Sequence, residues 1–420
     1  MAGFFALVQC PFLFGKSTTI VCCSLLLLLS SCSQQTLPDY PPAYREYAYV
    51  TNGKSNDVTV INLLNFKAQN TIPVGANPTG IIANPHKNEI YVVNTASNNL
   101  SVIDAERNAV VATIGLHRSP FFVDLTPNGM RAVVANSGSS NVSIIDLETH
   151  KVISNIPVGA RPGLARVSPD GKLALVSNRG DNTVSIVDLE RLAVRSTISV
   201  CKSPEEIAIL PDSSKAFITC SGSNQVAALA LDSIGKPGSV QGSSARGTSA
   251  AASGFRQAAP RADRLLALLD VGKTPLHVAT TRQGWNVFVA NFGSDSLSTI
   301  TTGTNEVSST QLIGSGPVRS IVNADGSLLY ISNFNGDSVS VYSTDTEKVV
   351  TVVRVGHRPD ALAFTSDQHY LLVVDSGSGD VSVIRNDLSV NAHILFTMVP
   401  VGLEPRQIAV KAFILRKPPT

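Results

Sequence analysis

Apolar and polar residues alternate along most of this chain in short runs, each broken by a cluster of small or polar residues. The stretch from Asn77 to Gly115 shows the pattern. "TGIIANP" is a short apolar run and "PHKN" a turn. "EIYVVN" is a second run, rich in β-branched and aromatic residues, and "TASNN" turns again. "LSVID" alternates, "AERN" turns, and "AVVATIG" is a fourth run. Period two with polar breaks predicts four antiparallel strands, here called A to D from first to last. No segment has the length or the 3.6-residue period of a helix.

The unit recurs. Aligned on the tetrapeptide at the end of strand B, copies begin at Tyr49, Tyr91, Val133, Leu175, Phe217, Phe288, Tyr330 and Leu372. Six of the seven intervals are 42 residues and the seventh is 71, so 29 residues are inserted between Phe217 and Phe288. A strict period near 40–45 residues with four strands per unit is that of a β-propeller blade. Each strand A opens on a proline: Pro78, Pro120, Pro162, Pro204, Pro275, Pro317, Pro359 and Pro405.

The two ends are complementary. The copy at Tyr49 has no strand A before it, and the strand A after Pro405 has no strand B after it. The C-terminal strand is therefore expected to complete the N-terminal blade and close the ring, which covers the last open sheet edges. The expected fold is all-β: an eight-bladed propeller of four-stranded antiparallel blades. Seven blades would need one degenerate copy, and every copy is intact.

The stretches "YVTN", "SNDVTVIN", "SNNLSVID" and "NTVSIVD", with "IPVG" steps at Ile72 and Ile156, resemble the YVTN family of β-propellers of exported and surface-layer proteins. The resemblance runs from residue 49 to about 412. It implies the fold and leaves function open, because propellers host unrelated activities.

The leader is of another kind. Lys16 precedes an apolar run from Thr18 to Leu29, short for a membrane span and long enough for a secretory signal. Leu29-Ser30-Ser31-Cys32 resembles the lipobox of bacterial lipoproteins, which implies lipidation at Cys32. The expected layout is a signal peptide at 1–31, a tether at 32–46, the propeller at 47–412 and a tail at 413–420. The insertion, about 233–262, has the Gly-, Ser- and Ala-rich composition of a flexible linker. The expected location is the bacterial cell envelope, lipid-anchored to a membrane and facing periplasm or exterior. Charged residues are only 15 % and the formal net charge is +2, with no basic stripe among aromatics, so nucleic acid is not an expected partner. The chain is expected to be a monomer.

Residues that repeat in every blade read as structural. The Asn closing each tetrapeptide (Asn52, Asn94, Asn136, Asn178, Asn291, Asn333) is expected to bond within its own B–C turn. The Gly of the "VG" step is expected to permit a turn between blades. Departures are more informative. In one unit Cys201 replaces that Gly and Cys220 replaces that Asn. Two rare substitutions at the ends of one A–B hairpin, in an exported chain, point to a Cys201–Cys220 disulfide.

A specific site needs positions that vary between blades. The residues flanking the strand-A prolines do so, at what should be the mouth of the central channel. Arg161 and Arg358 are four blades apart, hence opposite each other. With Arg319 and Arg406, and with Glu205 and Asp360 beside them, they can clamp a small anionic ligand; the competing reading is a solvated mouth where arginine pairs with Glu205, Asp360 or Glu404. The histidines are scattered, and no haem-attachment or metal-ligand spacing is present, so no metal or cofactor is expected. The expected function is non-catalytic binding of an anionic ligand or a protein partner at the channel mouth. The alternative is a lactonase-like hydrolase using Glu205, Glu206 and His277.

Overall fold

The computed structural model describes residues 40–232, 262–387 and 392–415. The leader with Cys32 and nearly all of the insertion lie outside the described residues.

Eight four-stranded antiparallel sheets form the ring of a β-propeller. Blades 2, 3 and 4 span residues 78–115, 120–157 and 162–199. Blades 5, 6, 7 and 8 span 204–270, 275–312, 317–354 and 359–400. Blade 1 is composite: its strands B, C and D come from residues 44–73, and its strand A is Pro405–Ile414, from the other end of the chain. This is the closure that the two incomplete units required. The first strand starts at Tyr44, inside the segment expected as tether, and the last runs to Ile414, inside the expected tail.

Burial follows strand order. The strand-B segment of blade 2, Glu89–Asn94, is buried along nearly its whole length, whereas the strand-D segment Ala109–Gly115 alternates exposed and half-buried. Inner strands of neighbouring blades pack together and outer strands diverge. The core is a set of apolar seams between blades. Tyr91, Val93, Val123 and Val134 join blades 2 and 3, and Val50, Leu372, Val374 and Ile408 seal the closing blade against blade 8. Burying these side chains is the main stabilising term.

The repeated Asn ties strand B to strand C. Asn94 Nδ2 donates to Asn99 Oδ1 (2.7 Å) and Ser101 Oγ (2.9 Å). Asn52, Asn136, Asn178, Asn291 and Asn333 make the same pair of bonds to the residues five and seven positions on. The step glycine has a different role from the one expected. Gly75, Gly159, Gly314 and Gly402 do not adopt positive φ. A Cβ on Gly75 would lie 2.7 Å from the side chain of Asn94, and one on Gly314 2.4 Å from that of Asn333. Close approach of the clamp, not a turn, crowds the step wherever glycine stands there; before blade 3 the position is held by His117, whose ring meets Asn141 of the clamp at 2.6 Å.

The turn is made one residue before the proline. Asn77, Ser119, Arg161, Ser203, Thr274, Gly316, Arg358 and Glu404 all have φ between 50° and 63°. In most blades the backbone N–H of this residue is caught by a side chain of the preceding blade's B–C turn. Arg358 N donates to Asp337 Oδ1 (3.0 Å) and Ser203 N to Asn182 Oδ1 (3.0 Å).

Candidate channel-mouth site

Strand A begins at the face of the ring that carries the B–C turns and the steps between blades. Its first residues, with the residue that follows each Asn of strand B, surround the mouth. There a cavity of about 340 Å³ is lined by Phe121, Leu164, Leu276, Phe292, Val318 and Phe334 on its apolar walls. Arg179, Glu205, Glu206, Arg319 and Asp360 complete it.

The charged residues form one alternating network on successive inner strands. Glu206 in blade 5 is buried, and Arg166 of blade 4 grips its Oε1 through Nε and Nη2, both at 2.9 Å. Arg319 of blade 7 reaches its Oε2 at 3.0 Å and stands 3.6 Å from Asp360 of blade 8. Burial alone would raise the Glu206 carboxyl, but Arg166, His277 and Arg319 outweigh it and hold the group at about 2. Asp124 of blade 3 extends the network and takes the backbone N–H of Val167 at 2.9 Å. Burial lifts its carboxyl above the ordinary range against the pull of Arg166.

His277 of blade 6 lies between these groups, its Nε2 3.9 Å from Glu206 Oε2. The backbone N–H of Ser320 points at its Nδ1 (3.2 Å). That N–H can only donate, so Nδ1 accepts and the ring proton sits on Nε2. Burial pushes the imidazole down to about 3, against the pull of Glu206.

At the rim, Arg179 pairs with Glu205 (2.5 Å) and lies over the Phe121 ring at 5.7 Å. It occupies space left by Gly163, where a Cβ would meet its Nε at 2.5 Å. Arg406 pairs with Glu404 at 3.4 Å. Arg161 and Arg358 are exposed and have no ion pair among the described residues. Arg358 lies over Phe334 at 5.8 Å, and the Arg161 carbonyl accepts the N–H of Arg179.

Of the residues singled out in the sequence, Glu205, Glu206, Arg319 and Asp360 therefore line one cavity. Arg161, Arg358 and Arg406 stand outside its lining, and Arg319 and Arg406 are engaged by carboxylates. Sequence reasoning missed Arg166, Asp124, Arg179 and the phenylalanines. A signal was present. The residue after the repeated Asn reads Gly53, Thr95, Ser137, Arg179, Ser221, Phe292, Phe334 and Ser376, and the three large ones all line the cavity.

Beside the network, Cys201 and Cys220 form a disulfide with Cα atoms 5.6 Å apart. It occupies the place of the Gly–Asn contact found in other blades. Among the described residues no group of three or more His, Cys, Asp or Glu is placed to hold a metal ion.

No protein-family model matches the chain, and no curated protein does. Solved structures do. Dihydro-heme d1 dehydrogenase NirN, in complex with DHE, superposes with a TM-score of 0.68 at 13 % identity, over 86 % of this chain and 74 % of that one. AztD of Citrobacter koseri gives 0.63 at 13 % identity, over 89 % of this chain and 100 % of that one. A putative 6-phosphogluconolactonase of Bacteroides uniformis gives 0.56 at 14 %, over 87 % and 99 %. At these identities the likeness is one of fold.

Proposed function

We propose that this protein is an exported YVTN-type propeller, lipid-anchored through Cys32 to the bacterial envelope, and that its channel mouth binds a small amphipathic anion, free or displayed by a partner. One observation carries the reading: the mouth holds a cavity with apolar walls, and on the steps next to its lining residues Arg179 and Phe334 stand two exposed arginines, Arg161 and Arg358, with no carboxylate ion pair among the described residues. Both hold a left-handed backbone, φ 50° and 55°, where Gly or Asn is cheaper. The apolar body of the ligand would pack on Phe121, Leu276, Phe292 and Phe334, and its anionic group would meet Arg358 or Arg161.

The hydrolase reading is weaker. General acid–base work needs groups that titrate near the working pH. Glu206 is held ionised by two arginines, and His277 is pushed down to about 3. Neither can exchange protons efficiently near neutrality.

The test uses one fluorophore with opposite charges. Dansylglycine should enhance its emission on binding and bind more tightly than dansylcadaverine. Equal or reversed preference would contradict the anionic assignment.

A further inference from the structure

Two blades lack the clamp Asn: blade 5, where Cys220 is in the disulfide, and blade 8. At the end of strand B in blade 8 the residue is Asp375, and the residue five positions on is Asp380. In every Asn-clamped blade an amide N–H₂ donates to both partners, and the five-on partner is an acceptor: Asp57, Asn99, Asn141, Thr183, Ser296 or Ser338. A carboxylate has no such hydrogen. The seven-on bond survives by reversal, since Ser382 Oγ donates to Asp375 Oδ2 at 2.7 Å. Across the five-on contact two carboxyl groups face each other. Asp375 Oδ1 and Asp380 Oδ1 are both buried without a hydrogen-bond partner among the described residues, and Asp375 is fully buried.

We propose that Asp375 and Asp380 share a single proton, which supplies the missing donor, closes the clamp of blade 8 and is lost as the medium turns alkaline. A carboxylic O–H on one group reproduces the amide N–H toward the five-on partner and satisfies the orphaned Asp380 Oδ1, while the open Oδ1 of Asp375 matches the equally open Oδ1 of the six clamp asparagines. Two ionised carboxylates in this place would repel without compensation. No cation among the described residues offsets them. On the step packed against the pair, His357 is engaged by Asp337, and Arg358 lies over Phe334. On the next step Glu404 is paired with Lys54 and Arg406. The strands on either side bring Pro359 opposite Asp375 and Pro400 opposite Asp380. Burial first, and then Asp380, push the Asp375 carboxyl far above the usual range. The packed step, where a Cβ on Gly356 would lie 2.6 Å from Asp375 Oδ2, leads directly to Arg358 and Asp360. The proton thus sits one turn from the mouth.

The experiment compares melting temperatures of the full chain and its Asp375→Asn and Asp375→Asn/Asp380→Asn variants, from about pH 5 to about pH 9. The double variant restores the Asn–Asn pair of blades 2 and 3. A group with a raised folded pKa stabilises fully below its unfolded pKa and loses that contribution as pH rises through the folded one. Both variants should therefore gain on the wild type progressively with pH, by at least about 2 °C at the alkaline end. The infrared difference spectrum, wild type minus Asp375→Asn, should show a protonated-carboxyl band at mildly acidic pH, apart from any band of Asp124, which both proteins share. A wild-type profile parallel to the variants, or a difference spectrum without that band, overturns the proposal. Rescue of the wild type by calcium at alkaline pH, absent in Asp375→Asn, would also overturn it by making the pair a cation site.

Discussion

Arg319 reaches from blade 7 to Glu206 of blade 5, placing its Nη1 3.0 Å from Oε2 while Arg166 holds Oε1 from blade 4. Three blades are thereby tied through one buried carboxylate on the inner strands. Replacing it strands two arginines in a partly desolvated place. Glu206→Gln should cost about 3 kcal/mol at neutral pH, at the low end for a broken buried pair because both arginines keep part of their surface in solvent. The sign with pH follows from a folded pKa held down at about 2. The stabilisation is present above the ordinary carboxylate range and is lost as pH falls toward 2. Denaturant titrations of wild type and variant should therefore converge in acid. A gap that stays constant would rule out this linkage.

The disulfide closes a loop between residues 19 apart in sequence. Its removal should cost about 3 kcal/mol on the loop-entropy account. The pair occupies the place of Gly and Asn, and Ala227 stands where the other blades have the seven-on hydroxyl, so Cys201→Gly/Cys220→Asn combined with Ala227→Ser rebuilds the clamp of the other blades. That variant should melt higher than Cys201→Ser/Cys220→Ser. The reverse order would show that the bond does not substitute for the clamp.

Gly314, a step glycine, and Gly115, the last residue of a strand D, predict a contrast. Gly314→Ala drives a methyl group into Asn333 and should cost about 1–3 kcal/mol. Gly115→Ala, with nothing within 4 Å of the new methyl, should change stability by less than about 0.5 kcal/mol. Urea midpoints of the two variants decide this.

How much of this was legible in the sequence depended on distance along the chain. Period two and the 42-residue repeat reported the blades, because both patterns are local. Closure was readable because Tyr49 lacks a strand A and Pro405 starts one without a sequel. The role of the step glycines was not readable, since the clash is with an Asn 19 residues on. The mouth was half legible. Variable positions after the prolines marked Glu206 and Arg319, but Arg166 and Asp124 sit four residues into their strands. Only the geometry shows that those positions turn toward the same carboxylate. Asp375 escaped notice because Asp for Asn is a small change of shape and a complete change of donor chemistry.

The leader carries its own prediction. If Cys32 is lipidated, cells expressing the chain should incorporate labelled fatty acid into it, and Cys32→Ser should abolish the label and release the protein from membranes. Label retained in the variant would remove the anchor from the proposal.

The most direct test of the central claim is a dansylglycine titration of the wild type against Arg161→Ala/Arg358→Ala. The control is Arg191→Ala, whose exposed arginine lies on a C–D turn at the opposite ends of the strands. The account predicts that the double variant loses at least about tenfold in affinity, or about 1.4 kcal/mol, while the control binds as the wild type does. Equal affinity in all three proteins would contradict it.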